Sequence, residues 1–164
     1  MGTRFSGIAW VALAACAAGC ARDTTSHDGV GVVEYVVDGD TVDIQINGTE
    51  ERVRLIGIDT PETKKPDAPV ECYGPEAGIH TASLLPIGTL VRIERDIVGR
   101  DDYGRLLGYL YRVEDELFVN HEIVRRGFAQ PLAIEPNNTH SATLATAARL
   151  AEADNLGLWA ACAG

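Results

Sequence analysis

The 164-residue chain lacks the spacings that would make it a zinc protein. Its four cysteines, Cys16, Cys20, Cys72 and Cys162, contain no Cys-x-x-Cys pair. Its histidines, His27, His80, His121 and His140, stand at no mutual interval suited to a metal. No internal repeat is visible, which excludes a solenoid. The one unbroken apolar run, Ile8 to Gly19, falls short of the roughly 20 residues a transmembrane helix needs. Positive charge is also scarce: 14 Lys and Arg stand against 24 Asp and Glu, a net charge of −10. Such a balance offers no broad basic surface for holding a polyanion by charge alone.

What the chain does have is concentrated between Val36 and Thr63. Val42, Ile44 and Ile46 alternate with polar residues, as in a half-buried strand. Asn47-Gly48 is a two-residue hairpin signal, since a tight primed turn requires positive φ at both positions. The return strand, Arg52 to Ile58, is mostly apolar and β-branched. An antiparallel hairpin of this kind brings Asp40, before one strand, close to Asp59, after the other. Asp40 shares parity with Val42, Ile44 and Ile46, so its charge sits at or near the core side, where it needs compensation. A hard cation with oxygen ligands is a natural compensator, and Asp40, Asp59 and a nearby backbone carbonyl suit Ca²⁺ or Mg²⁺. Arg54, inside the apolar return strand, asks for an anionic partner, and Glu62 adds a spare carboxylate just beyond Pro61. Taken singly, Asp-Gly-Asp is a turn, a strand arginine a surface residue, and Asp-Thr-Pro-Glu a helix start. Their convergence on one hairpin is what points to chemistry.

Six collinear segments carry a family resemblance: 37–41 (Val-Asp-Gly-Asp-Thr), Arg54-Leu55, 59–63 (Asp-Thr-Pro-Glu-Thr), 73–77 (Tyr-Gly-Pro-Glu-Ala), 102–105 (Asp-Tyr-Gly-Arg) and 136–140 (Pro-Asn-Asn-Thr-His). Together they resemble the thermonuclease family, the staphylococcal-nuclease-like phosphodiesterases, over about residues 31 to 159. The resemblance implies that Asp40, Asp59 and the carbonyl of Thr60 hold Ca²⁺, with Asp38 supporting the metal from behind. It implies that Arg54 and Arg105 grip the phosphodiester, that Glu62 orients or deprotonates water, and that Tyr103 contacts substrate. The implied substrates are single-stranded or unwound DNA and RNA, cleaved with little sequence preference to leave 3′-phosphates. The rival expectation is a non-catalytic OB-type module that keeps its carboxylates for stability or calcium.

The sequence departs from the family where substrate is held. Asp67 and Ala68 stand where basic residues occur in its best-known member, and Asp102 replaces a lysine. Leu132 and Ile134 occupy positions of stacking tyrosines, and the last helix is alanine-rich instead of lysine-rich. The cutting apparatus is complete, and the grip is altered.

The remaining elements read in order. Residues 1–19 have the shape of a secretory signal, with Arg4 ahead of the apolar run. Ala17-Ala18-Gly19-Cys20 resembles a bacterial lipoprotein signal, in which Cys20 would be lipidated and anchor the protein to a membrane. Cleavage to a soluble secreted product is the alternative. Removal of the signal leaves 13 basic residues against 24 acidic ones, a charge of −11. Residues 20–30 read as a tether and 31–162 as one domain. Outside the cytoplasm Cys72 and Cys162 are expected to pair. Helices are expected over Tyr73–Leu85, from about Asn120 to Arg126, and after Asn137-Asn138-Thr139, whose side chains offer N-caps. Strands are expected over Thr89–Arg95, Arg105–Tyr111 and Leu117–Val119. Three strands, a helix, two strands and then helices resemble an α+β, five-stranded OB-fold barrel with about three helices. No feature demands an oligomer, so a monomer is expected.

Overall fold

A computed structural model describes residues 1–2, 27–63 and 69–162. The elements are β1 (His27–Asp38), β2 (Thr41–Ile46), β3 (Thr49–Leu55), β4 (Gly57–Asp59), α1 (Gly74–Leu84), β5 (Leu90–Glu94), β6 (Leu106–Arg112), β7 (Leu117–Phe118), α2 (Val119–Arg125), β8 (Gln130–Leu132), α3 (Ser141–Ala153) and α4 (Leu158–Ala161). The main sheet runs β3-β2-β1-β5-β6-β7, and a parallel pairing of β3 with β6 closes it. Strands β1, β2, β3, β6 and β5 therefore form a closed five-stranded barrel, the expected OB architecture. Closure removes the sheet's open edges, so strands as short as β5 are held on both sides.

The predicted hairpin is present. Its turn residues Asn47 and Gly48 have φ of 50° and 83°, and the register pairs Thr41 with Arg54 and Val42 with Val53. Alternation along β2 and β3 sends Val42, Ile44, Val53 and Leu55 into the barrel, where they meet Val33, Val91, Ile93 and Leu110, all essentially buried. Two irregularities in the pairing of β1 with β2 bend β1 as it approaches Asp38.

Three readings differ from the structure. The return strand is not continuous from Arg52 to Ile58. It breaks after Leu55, because the Ile56 N–H turns to the carbonyl of Gly108 at 3.1 Å. Residues Gly57–Asp59 then form a separate two-stranded ribbon with β8. Strand β1 begins at His27, inside the stretch read as tether. The Asn137-Asn138-Thr139 run does not cap α3, whose N-cap is His140 with no side-chain bond. Asn137 instead clamps Val98 at both backbone groups, at 2.8 Å each, and Thr139 donates to Asp96 from its N–H and hydroxyl, both at 3.0 Å. These polar side chains are spent on fastening a loop, which competes with capping.

Cys72 and Cys162 form a disulfide across 90 residues of sequence. Helix α4 adds one short turn to the three expected helices. No described helix is long and apolar enough to cross a membrane. Cys16 and Cys20 lie outside the described residues.

Candidate active site

The site begins at the turn between β1 and β2. The Asp40 N–H donates to Asp38 Oδ1 at 3.2 Å, folding the Asp-Gly-Asp turn on itself. A side chain at Gly39 would have its Cβ 2.7 Å from Thr60, so only glycine allows the two segments to touch. That contact lets Thr60 donate twice to Asp40 Oδ2, from its N–H at 3.0 Å and its hydroxyl at 2.9 Å. The Thr41 hydroxyl donates to Asp40 Oδ1 at 3.2 Å. From α1, the buried Thr81 hydroxyl donates to the carbonyl of Gly39 at 2.7 Å and fixes the turn from behind.

Arg54 rises from β3 directly opposite Thr41. Its Nη1 donates to the carbonyls of Leu55 at 2.6 Å and Ile58 at 3.0 Å, across the break between β3 and β4. Its Nη2 lies 3.2 Å from Asp40 Oδ2 and 3.2 Å from Asp59 Oδ1. The hairpin register places Asp40 opposite Leu55, and it is the break after Leu55 that returns Asp59 and Thr60 to Asp40, with one guanidinium joining the two aspartates. Asp40 is only 7 % exposed. Burial pushes its carboxyl above the ordinary range, against the opposing pull of Arg54 and the Thr60 N–H, and the neighbouring Asp38 adds to the rise.

Arg105 stands just ahead of β6. Its Nε donates to Asp101 Oδ2 at 2.6 Å and its backbone N–H to Asp101 Oδ1 at 2.9 Å, while the Tyr103 N–H donates to the same Oδ1 at 3.0 Å. Burial raises the Asp101 carboxyl, but these bonds outweigh it and hold the group below its usual value. Glu62 accepts the Thr63 N–H through Oε1 at 2.8 Å, and its own N–H donates to Glu71 Oε2 at 3.0 Å.

Asp38, Asp40, Asp59, Glu62, Arg54 and Arg105 all line one polar cavity of about 310 Å³, with Thr60 and Glu71. Tyr103 does not line it. Its ring is 87 % exposed and faces a neighbouring shallow basin, with the Arg105 Cζ 5.5 Å from its centroid. An apolar hollow of about 280 Å³ adjoins the polar cavity, shares Arg54 and Arg105 with it, and is walled by Leu132 and Ile134. No aromatic ring lines this hollow.

Among the described residues no three His, Cys, Asp or Glu side chains converge as a ready ligand cluster. The donor chemistry nonetheless fits a hard cation. Asp40 and Asp59 offer carboxylate oxygens, Thr60 a carbonyl, and no nitrogen or sulfur ligand is present among the cavity's residues. Burial, with Asp38 beside it, makes the ionised form of Asp40 costly, and a bound cation would favour that form.

Sequence reasoning missed Asp101, Thr81 and Glu71. Asp101 had a legible signal: it stands two residues before Tyr103, the spacing at which an aspartate accepts a backbone N–H in a turn. Glu71 and Thr81 had none, because tertiary folding alone brings them to the site.

Two arginines facing a carboxylate-lined cavity suit hydrolysis of a phosphodiester, and the barrel that carries them sets the chain among the OB-fold phosphodiesterases. The sequence profile described as staphylococcal nuclease homologue matches residues 52–161, and the chain belongs to that family. It is 40 % identical over 128 residues to the thermonuclease of Staphylococcus intermedius, covering 78 % of this chain and 74 % of that protein. Identity to the thermonuclease of Staphylococcus hyicus is 36 %, over 76 % and 72 % of the two chains. Endonuclease YncB of Bacillus subtilis (strain 168) is 35 % identical, over 77 % of this chain and 60 % of its own length. The chain is thus a nuclease, a hydrolase of phosphodiester bonds.

Proposed function

We propose that the protein is a calcium-dependent nuclease that cuts single-stranded or unwound DNA and RNA with little sequence preference and leaves 3′-phosphate ends. The observation that carries this reading is the position of Arg54, within 3.2 Å of both Asp40 and Asp59 and lining the same cavity as Arg105 and Glu62.

Arg54 and Arg105 bind the non-bridging oxygens of the scissile phosphate. Their charge offsets the negative charge that grows as water adds to phosphorus. Arg105 arrives pre-aimed by Asp101, so little of its rotamer freedom remains to be lost on binding. Glu62 orients the attacking water and takes its proton as the bond to phosphorus forms. The phosphorus–5′-oxygen bond breaks and the leaving 5′-oxygen takes a proton from solvent, giving a 3′-phosphate and a 5′-hydroxyl. Asp40, Asp59 and the Thr60 carbonyl would hold Ca²⁺, which supplies Lewis-acid polarisation of the phosphate when bound. Tyr103 supports substrate from the basin beside Arg105. The aliphatic hollow replaces ring stacking with a smaller apolar contact. With a net charge of −10, this predicts weak, salt-sensitive affinity for nucleic acid.

The protein acts outside the cytoplasm as a monomer, exported by residues 1–19 and lipid-anchored at Cys20. The Cys72–Cys162 disulfide supports an oxidising compartment. Fatty-acid labelling that marks wild type but not Cys20→Ser is the expected result, and absence of label favours the soluble secreted form.

The test of the chemistry is cleavage of single-stranded DNA and RNA with calcium and with EDTA, with end-group analysis. Cleavage should stop in EDTA and fall steeply in Glu62→Gln and Arg54→Ala. Robust cleavage indifferent to EDTA and to both substitutions overturns the assignment.

A further inference from the structure

We propose that Glu71 is a positioning residue for Glu62, and that the Cys72–Cys162 disulfide holds Glu71 in place. This rests on the reading of Glu62 as the residue that handles the attacking water.

Glu62 and Glu71 are joined by two hydrogen bonds that run in opposite directions. The Glu62 N–H donates to Glu71 Oε2 at 3.0 Å, and the Glu71 N–H donates to the Glu62 carbonyl at 2.9 Å. The pair closes the two ends of the 62–71 segment against each other, so the backbone of Glu62 is set by where Glu71 stands. The first of these bonds is charge-assisted, which strengthens it and makes it depend on the Glu71 side chain.

The other side of Glu71 is tied down as well. The Gly74 N–H donates to the Glu71 carbonyl at 3.1 Å. Gly74 opens α1 and presses on the Glu62 segment: a Cβ there would lie 2.6 Å from Thr63 Cγ2 and 3.2 Å from the Glu62 carbonyl. Cys72, next to Glu71, is bonded to Cys162, which stands at the C-cap of α4 and donates its N–H to the carbonyl of Leu158, the first residue of that helix. Helix α4 is docked in turn by the Leu158 N–H on the Gly127 carbonyl at 2.8 Å. The adjacent Tyr73 ring stacks on Phe128, with centroids 5.2 Å apart. A continuous path therefore runs from the α2–α4 corner through the disulfide to Glu71 and on to Glu62. Neither end of that path is itself a proposed metal ligand or one of the two arginines; because Thr60 stands two residues before Glu62, the Glu62→Gln background is what separates a loss through Glu62 from one through Thr60.

The experiment compares Glu71→Ala, Glu71→Gln and the Cys72→Ser/Cys162→Ser double variant, each made in wild type and in Glu62→Gln. Activity is measured on a single-stranded oligonucleotide at saturating calcium, well below each variant's melting temperature. A misplacement of about 1 Å can cost about a hundredfold, so a fraction of that shift at Glu62 is expected to cost on the order of tenfold in kcat. Glu71→Ala should show that loss with KM within about twofold of wild type. Glu71→Gln should recover most of it, because its amide oxygen still accepts the Glu62 N–H. The double cysteine variant should lose kcat in the same way, and add nothing further in a Glu71→Ala background. None of these changes should slow Glu62→Gln further, since the residue they position is already disabled. Full kcat in Glu71→Ala, or an equal loss in the Glu62→Gln background, overturns the positioning role. Full kcat in a folded cysteine double variant overturns the part given to the disulfide. A wild-type rate in Glu62→Gln instead condemns the underlying reading of Glu62, a result separable from both.

Discussion

Thr60 grips Asp40 twice, donating to one carboxylate oxygen from its N–H at 3.0 Å and its hydroxyl at 2.9 Å across 20 residues of sequence. Those bonds, with Arg54, hold a buried charge in place without making it comfortable. Burial still lifts the Asp40 carboxyl above its ordinary 3.8. A raised carboxyl binds its proton more readily in the fold than in the unfolded chain. The contribution of Asp40 to stability is therefore greatest below 3.8 and is lost as pH rises through the raised folded value. At neutral pH and without calcium, ionised Asp40 should oppose folding. Asp40→Asn keeps the acceptor and removes the charge. It should melt at a higher temperature than wild type in EDTA, and calcium should no longer raise its melting temperature. Thermal melts with and without calcium check both parts, and a lower melting temperature in EDTA refutes the first.

Asp101 aims Arg105, and its contribution is separable from the charge that Arg105 itself carries. Asp101→Asn leaves an acceptor for the Tyr103 and Arg105 N–H groups but loses the charged bond to Arg105 Nε. A hydrogen bond to a charged group contributes about 1.5–3 kcal/mol. The variant should therefore lose roughly tenfold or more in kcat/KM, with the fold intact by circular dichroism. In an Arg105→Ala background the same change should have little effect, which a double-mutant cycle measures.

Leu132 and Ile134 wall the hollow beside the two arginines without offering a ring. Stacking on an aromatic side chain contributes ~1–3 kcal/mol per base. Leu132→Tyr or Ile134→Tyr should lower KM for single-stranded DNA about tenfold, leave kcat nearly unchanged, and flatten the dependence on salt. Titrations of KM against sodium chloride are the check.

Acid should loosen the corner where α3 begins. Asp96 accepts from Thr139, Ile97 and the Tyr109 hydroxyl. Burial raises its carboxyl, but these bonds, with Thr139 foremost, outweigh burial and hold it below 3.8. A depressed carboxyl contributes stability that is complete above its unfolded value and vanishes as pH falls through its folded one. Wild type should lose stability below about pH 4. Asp96→Asn should start less stable at neutral pH and show a shallower loss in that acid window. Denaturant melts from pH 3 to 7 would expose a wrong sign.

Much of the barrel was readable from residues near one another in the chain. The period-two pattern of Val42, Ile44 and Ile46 and the Asn47-Gly48 turn define a register that sets Arg54 opposite Thr41, beside Asp40. The break after Leu55 was not readable, because it depends on Gly108 competing for the Ile56 N–H. The α3 start was misread for a similar reason: Val98 and Asp96, about 40 residues away, claim the side chains that would have capped the helix.

By itself the sequence determined which chemical groups the nuclease possesses and on which face of each strand they lie, because side-chain parity and turn chemistry are local properties of the backbone. Only the tertiary structure decided how those groups are held. Arg54 bridges Asp40 and Asp59, Asp101 turns Arg105 toward the cavity, and Glu71 reaches back to Glu62 because distant backbone segments close on one another. Those closures depend on long-range packing and on hydrogen-bond partners that a linear pattern does not encode.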